Sequence, residues 1–138
     1  MTRILLLGML IVCVGCTSIP NGTFHSNKLL SSKGEEIFIN SINWGATDDY
    51  QLSIISKDSL RLKERKNTVG AIDGLEPFIY HFKNDTLTLF FYNNIDYKIA
   101  ENFSTVTVLY QTVDSISYSE LQEKTNLNSG YFSVPIKK

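Results

Sequence analysis

Cysteine is nearly absent from this chain, and the two that occur, Cys13 and Cys16, both fall within the first sixteen residues. Nothing downstream can form an intramolecular disulfide, a thiolate metal site or a cysteine nucleophile. Histidine is equally scarce, with only His25 and His81, which excludes a three-histidine metal centre. Neither sign of charge is in excess: 13 Lys and Arg stand against 14 Asp and Glu, for a formal net charge of -1. A phosphate backbone calls for a strongly basic face, so nucleic acid is not expected as a partner. Also missing are a Gly-rich phosphate loop, a Gly-x-Ser-x-Gly elbow and an Asp-x-Asp-x-Asp-Gly calcium loop. No cofactor, metal site or catalytic residue is expected, and the chain reads as a non-enzyme.

A long hydrophobic run is lacking too. The chain opens with Arg3 and an apolar stretch from Ile4 to Val14, interrupted by Gly8. A helix of that length reaches only ~17 Å against a hydrocarbon core of about 30 Å, too little for a permanent span. A charged start, a short apolar run and small residues at its end describe an export signal. Gly8 and the absence of a polar face argue against a buried N-terminal helix.

Cys13-Val14-Gly15-Cys16 resembles the lipobox of bacterial lipoproteins, where a small residue precedes a cysteine that is acylated and becomes the new N-terminus. That family usually carries Leu where this chain has Cys13. The resemblance implies a signal peptide over residues 1–15, lipid attachment at Cys16 by palmitate-type acyl chains, and a lipidated N-terminus and short tether over 16–22. Two or three such chains anchor firmly, since each buried methylene contributes about 0.8 kcal/mol. Thr17 in place of Asp goes, in lipoproteins of the enteric type, with sorting to the outer membrane. An ordinary secretory leader releasing a soluble protein is the rival reading. The resemblance covers sixteen residues and is silent on the domain behind them.

Residues 23–138 are expected to form a single β-rich domain. Ile37 to Trp44, Tyr50 to Ser56, Ser59 to Arg65, Phe78 to Lys83, Thr86 to Tyr92 and Ser104 to Val113 combine β-branched or aromatic content with polar alternation. Turn residues separate them. With Asn84-Asp85 as a two-residue loop, Phe82 faces Leu87, Tyr80 faces Leu89, and His81 faces Thr88 on the other side. Asp58, Asp85 and Asp114 each precede Ser or Thr and then an apolar-polar-apolar run, an echo that points to three hairpins in a meander. A capping box at Ser117 to Glu120 or Ser119 to Gln122 predicts one short C-terminal helix, stopped by Asn128-Ser129-Gly130 and followed by a closing strand from Tyr131 to Ile136. The fold class is all-β and mainly antiparallel, a small meander barrel or a two-layer sandwich of about eight strands.

Chemistry-bearing residues are few. Asp48-Asp49, Asp73 with Glu76, and Glu35-Glu36 are acidic pairs in or beside turns, where solvation accounts for them. Arg61, Lys63 and Arg65 would share one face of the expected 59–65 strand and guard an edge against pairing. Trp44 with Gly45, and Asp49 with Tyr50, bracket one loop, and rings beside an acid at a domain end suit contact with a saccharide or a peptide. The expected role is therefore that of an envelope-anchored binding or structural module, held at the membrane by its acyl chains. An inhibitor or immunity protein against a secreted enzyme or toxin, or a carrier of a small apolar ligand inside a barrel, are the alternatives.

Overall fold

β-branched and aromatic side chains recur at every second position through much of the chain. Such segments are stable only when a neighbouring strand completes their hydrogen bonds and a second layer covers their apolar face. The computed structural model describes residues 22–45, 49–75 and 77–134, and it meets both needs with two open four-stranded sheets and one helix. The first sheet is a meander of β1 (Thr23–Leu30), β2 (Glu36–Trp44), β3 (Tyr50–Ser56) and the short β4 (Ile72–Asp73), each antiparallel to the next. The second runs in the order β7 (Thr107–Val113), β6 (Thr86–Tyr92), β5 (Phe78–Lys83), β8 (Tyr131–Val134). The sheets do not close on one another, so of the two expected architectures the sandwich holds and the barrel does not. The expected signal peptide, Cys16, its tether as far as residue 21, Asp48, Glu76 and the last two residues of the closing strand lie outside the described residues.

Alternation decides which side chains meet between the sheets. Leu29, Ile37, Ile39 and Ile55 from the first sheet pack against Phe78, Tyr80, Leu89 and Phe91 from the second. The β5–β6 hairpin has the expected register, with Phe82 opposite Leu87, Tyr80 opposite Leu89 and His81 opposite Thr88. Asn84 and Asp85 take φ of 50° and 54°, the two left-handed residues that a type I′ turn requires.

Four expectations are corrected. β7 runs parallel to β6, so the second sheet is not a meander. A parallel neighbour needs a crossover, and residues 93–106 supply one without a helix, laying Tyr97, Ile99, Phe103 and Val106 onto the core. The expected 59–65 strand is instead a series of turns, held by Lys63 N–H to Leu60 O at 3.0 Å and Arg65 N–H to Leu62 O at 2.7 Å. The cause is the outer face of the first sheet, where Ile42 and Ile54 need cover; the loop folds back and plugs Leu62 between them. Leu62 is buried at φ 76°, a left-handed conformation that no strand contains. Finally, helix α1 (Ser115–Asn126) starts before either expected capping box, because the Asp114 carboxylate accepts from Ser117 N–H at 2.8 Å. The recurring aspartate therefore marks a turn at Asp58, a hairpin at Asp85 and a helix cap at Asp114, and only one of the three is a hairpin. Asn128 and Gly130, at φ 52° and 82°, end the helix segment as expected. α1 covers the outer face of the second sheet through Leu121, against Ile79 and Phe90.

Candidate functional site

The end of the first sheet where β2 gives way to β3 gathers the expected binding residues. Trp44 and Tyr50 are register partners, and their rings stack with centroids 5.7 Å apart and planes 16° from parallel. Tyr50 remains 58% exposed. Gly45 sits at φ +105°, and a Cβ there would lie 2.2 Å from Asp49 Oδ1, so the Asp49 carboxylate rests in space that only glycine leaves free. The sequence placed Trp44, Asp49 and Tyr50 around one loop, and the structure brings all three to one corner.

Arg65 joins them. Its guanidinium stands 5.7 Å from the centre of the Trp44 ring, within cation–π range. No sequence signal announced this, because the 57–71 loop, and not a strand, carries Arg65 there. The basic run is thereby dispersed. Arg61 donates to Val69 O of its own loop at 2.8 Å and to Glu101 Oε1 of the crossover at 3.3 Å, while Lys63 stays exposed. Leu75, half exposed, belongs to the same end, since the adjacent Gly74 N–H donates to Gln51 O at 3.2 Å. So does the point where the chain enters the sheet: Gly22, just before β1, lies against Asn43 O, Ile42 and Trp44. An open groove of about 410 Å³ runs from Gly22 and Phe24 past Ile42 to Lys63 and Arg65.

The opposite end is built differently. The Glu35 carboxylate accepts from Ser104 N–H, from Thr105 N–H at 2.7 Å and from Thr105 Oγ1 at 2.7 Å, and it pairs with Lys57 Nζ at 3.2 Å. These donors, the Ser104 N–H foremost, lower its pKa to about 2. Asp85 in the β5–β6 turn accepts from Ser32 N–H and Oγ in the β1–β2 turn, and its pKa is lowered by them. Glu101 accepts from Ser56 Oγ at 2.6 Å and Lys57 N–H at 2.8 Å. Turn solvation, the expected account of the acidic pairs, fails for Glu35: its carboxylate ties the crossover to the first hairpin.

Between the sheets, His25, Asn27, Ser41, Tyr80 and Ser133 line a cavity of about 20 Å³, room for roughly one water. The Tyr80 hydroxyl accepts from Asn27 Nδ2, and burial pushes its pKa up to about 12, so it stays protonated. On the same inner face the cross-strand partners Asn43 and Gln51 each keep a buried side-chain oxygen without a hydrogen-bond donor. His81 stacks on Tyr131 at 4.7 Å. Neither histidine forms an ion pair with a carboxylate among the described residues. Among those residues no His, Cys, Asp or Glu cluster could hold a metal ion, and no helix is long and apolar enough to cross a membrane. No protein-family model, curated protein or solved structure matches this chain.

Proposed function

We propose that this protein is a lipoprotein of the bacterial envelope, held at the outer membrane through acylated Cys16, whose sandwich acts by binding or structural contact and not by catalysis. The lipobox-like Cys13 to Cys16 supports the anchor. The observation that carries the reading further is where the chain enters the fold. β1 starts at Thr23 beside the Trp44–Tyr50 corner, and the seven residue steps from Cys16 reach at most ~25 Å when extended. The nine residues of β2 run roughly 30 Å along the sheet. An anchor at Cys16 therefore turns the Trp44 end toward the bilayer and the Ser32 and Asp85 end away from it.

The side chains suit that orientation. Trp and Tyr rings favour the headgroup level, and Arg65 and Lys63 suit anionic phospholipid. Trp44, Tyr50 and Asp49 then serve as a membrane-proximal contact, leaving the open concavity at the far end, lined by Ser32, Phe82, Lys83 and Asp85, to face a protein or saccharide partner. The carrier alternative needs a sizeable unfilled apolar interior, whereas the cavity described between the sheets is of about 20 Å³ and is lined in part by His25, Asn27 and Ser41.

Expression of the full chain and of Cys16→Ser, followed by membrane fractionation and intact mass analysis, tests the anchor. The expected product begins at residue 16, carries acyl mass and sediments with membranes, whereas Cys16→Ser becomes soluble or keeps its leader. A mature protein that retains residues 1–15, or an unmodified thiol at Cys16, overturns the reading.

A further inference from the structure

An open sheet has edges, and edges with free N–H and C=O groups invite pairing unless something guards them. Three of the four edges here are guarded or short: β1 carries His25 and Lys28, β4 has two residues and β8 has four. β7 is different. Its seven residues, Thr107 to Val113, include no charge and no proline, and five of them are exposed. Leu109 and Tyr110 are 44% and 41% exposed. Among the described residues no strand pairs with its outer edge.

The ladder with β6 fixes which groups that edge presents. Thr107 N–H donates to Asp85 O at 2.9 Å. In a parallel pair the direction alternates residue by residue, so Thr107, Leu109 and Gln111 address β6, while Val108, Tyr110 and Thr112 turn their backbone groups outward.

We propose that this edge pairs antiparallel with β7 of a second copy, about a two-fold axis at Tyr110, joining two four-stranded sheets into one. In that register Tyr110 faces its own counterpart and Val108 faces Thr112, so every outward N–H meets an outward C=O. One face gains a β-branched pair on each side of a tyrosine pair, and the other sets Leu109 against Gln111, combinations that stabilise cross-strand contact. Charge does not oppose it. The nearest acid, Asp114, follows the strand, and antiparallel pairing carries the two copies' Asp114 to opposite ends. Tyr110 is already held in place, its hydroxyl accepting from Ile99 N–H at 3.1 Å. Another extended peptide could add to the same edge, but no charged group on β7 selects one, whereas the strand is its own complement. A two-fold contact also closes after two copies, since it uses up both β7 edges and leaves the joined sheet ending in the four-residue β8.

Disulfide trapping of the full chain tests the register. Hydrogen-bonded antiparallel partners lie about 5.5 Å apart at Cα, inside disulfide range, whereas two Val108 residues in this register are roughly 14 Å apart. Oxidised Tyr110→Cys is expected to give at least about tenfold more covalent dimer than Val108→Cys, above the background of the unsubstituted chain, which accounts for Cys13 and Cys16. Mixing Val108→Cys with Thr112→Cys chains is expected to restore cross-linking. Thr112→Pro removes one outward N–H without touching the β6 ladder, and sedimentation should show its dimer lost with the circular dichroism spectrum unchanged. Equal trapping at 108 and 110, a chain that stays monomeric at the highest soluble concentration, or ladders of higher oligomers would each overturn the proposal.

Discussion

The two ends of this sandwich are held by opposite means. At one, the carboxylates of Glu35, Asp85 and Glu101 accept hydrogen bonds from loops that are far away in sequence. At the other, stacked rings, a guanidinium and the plug of Leu62 hold the corner where the chain enters. Ionised acceptors fix loop geometry strongly and are sensitive to acid. Rings and a cation hold an end together while leaving a surface that adapts to what it meets. Loops tied by carboxylates at one end and an amphipathic corner at the other are compatible with the proposed orientation, in which the second end rests on the bilayer. Trp44, the single tryptophan, lies in the second end, so its fluorescence reports on that end alone.

The largest expected break in the comparison is Leu62→Ala. The side chain is buried against Ile42 and Ile54, with Trp44 and Phe24 packed around them, so truncation should cost about 2–5 kcal/mol in urea unfolding. Its left-handed backbone adds a sharper expectation. Alanine keeps the strain of φ 76° and glycine relieves it, so Leu62→Gly should cost about 1 kcal/mol less than Leu62→Ala. If glycine proves the worse of the two, position 62 does not hold this left-handed backbone in solution. Trp44 emission should shift red in both variants, while acid sensitivity at the far end stays unchanged.

Acid should break the other end. Glu35 has its pKa lowered to about 2 from an ordinary 4.5, and that of Asp85 is lowered as well. A lowered folded-state pKa means the unfolded chain takes up the proton first, so the stabilisation is complete above about pH 4.5 and is lost as pH falls toward 2. The melting temperature should therefore drop by many degrees across that window. Glu35→Gln should melt several degrees lower at pH 7 and show a flatter acid limb. An acid limb that matches the parent's would mean Glu35 is not the group that ties the crossover to the first hairpin.

What the sequence made legible follows the same division. The β5–β6 hairpin was readable because Asn84-Asp85 permits one turn and alternation permits one register. The Trp44, Asp49 and Tyr50 corner was readable because the residues are close in sequence. What escaped were features set by distant partners. Residues 59–65 alternate like a strand, yet Leu62 was needed to cover Ile42 and Ile54, and tertiary burial overrode local pattern. Glu35 looked like any turn acid because Ser104 and Thr105, its donors, are some seventy residues away. β7 carries the strand pattern but nothing that shows its direction, and only the residues 93–106 laid over the core reveal the parallel pairing.

A smaller effect is expected from Tyr50→Ala. The ring is more than half exposed and stacks on Trp44, so its loss should cost about 1 kcal/mol. Sharpening comes from adding lipid. On vesicles of phosphatidylethanolamine with phosphatidylglycerol, the acylated parent should show a blue shift of Trp44 emission, and Tyr50→Ala should reduce it. The Asp85→Asn variant, altered at the far end, should behave as the parent does. An equal shift in all three would mean that Tyr50 takes no part in the contact, and no shift in the parent would place the Trp44 end away from the bilayer.

Arg65→Ala should give the smallest change and the most specific one. A half-buried cation over an aromatic face contributes only about 0.5–1 kcal/mol, so the urea midpoint should move little. Arg65 is placed over the Trp44 ring, however, and an adjacent guanidinium alters indole emission directly. Parent and variant should therefore differ in Trp44 fluorescence while agreeing in stability. Arg65→Lys should recover the charge and not the planar stacking, so its spectrum should fall between the two. Salt separates the causes further. Added salt should lower vesicle binding of the parent more than that of Arg65→Ala, because the parent has one more cation for anionic headgroups. If both variants match the parent in emission and in salt dependence, Arg65 does not sit over Trp44 in solution, and the near end is held by Leu62 and the stacked rings alone.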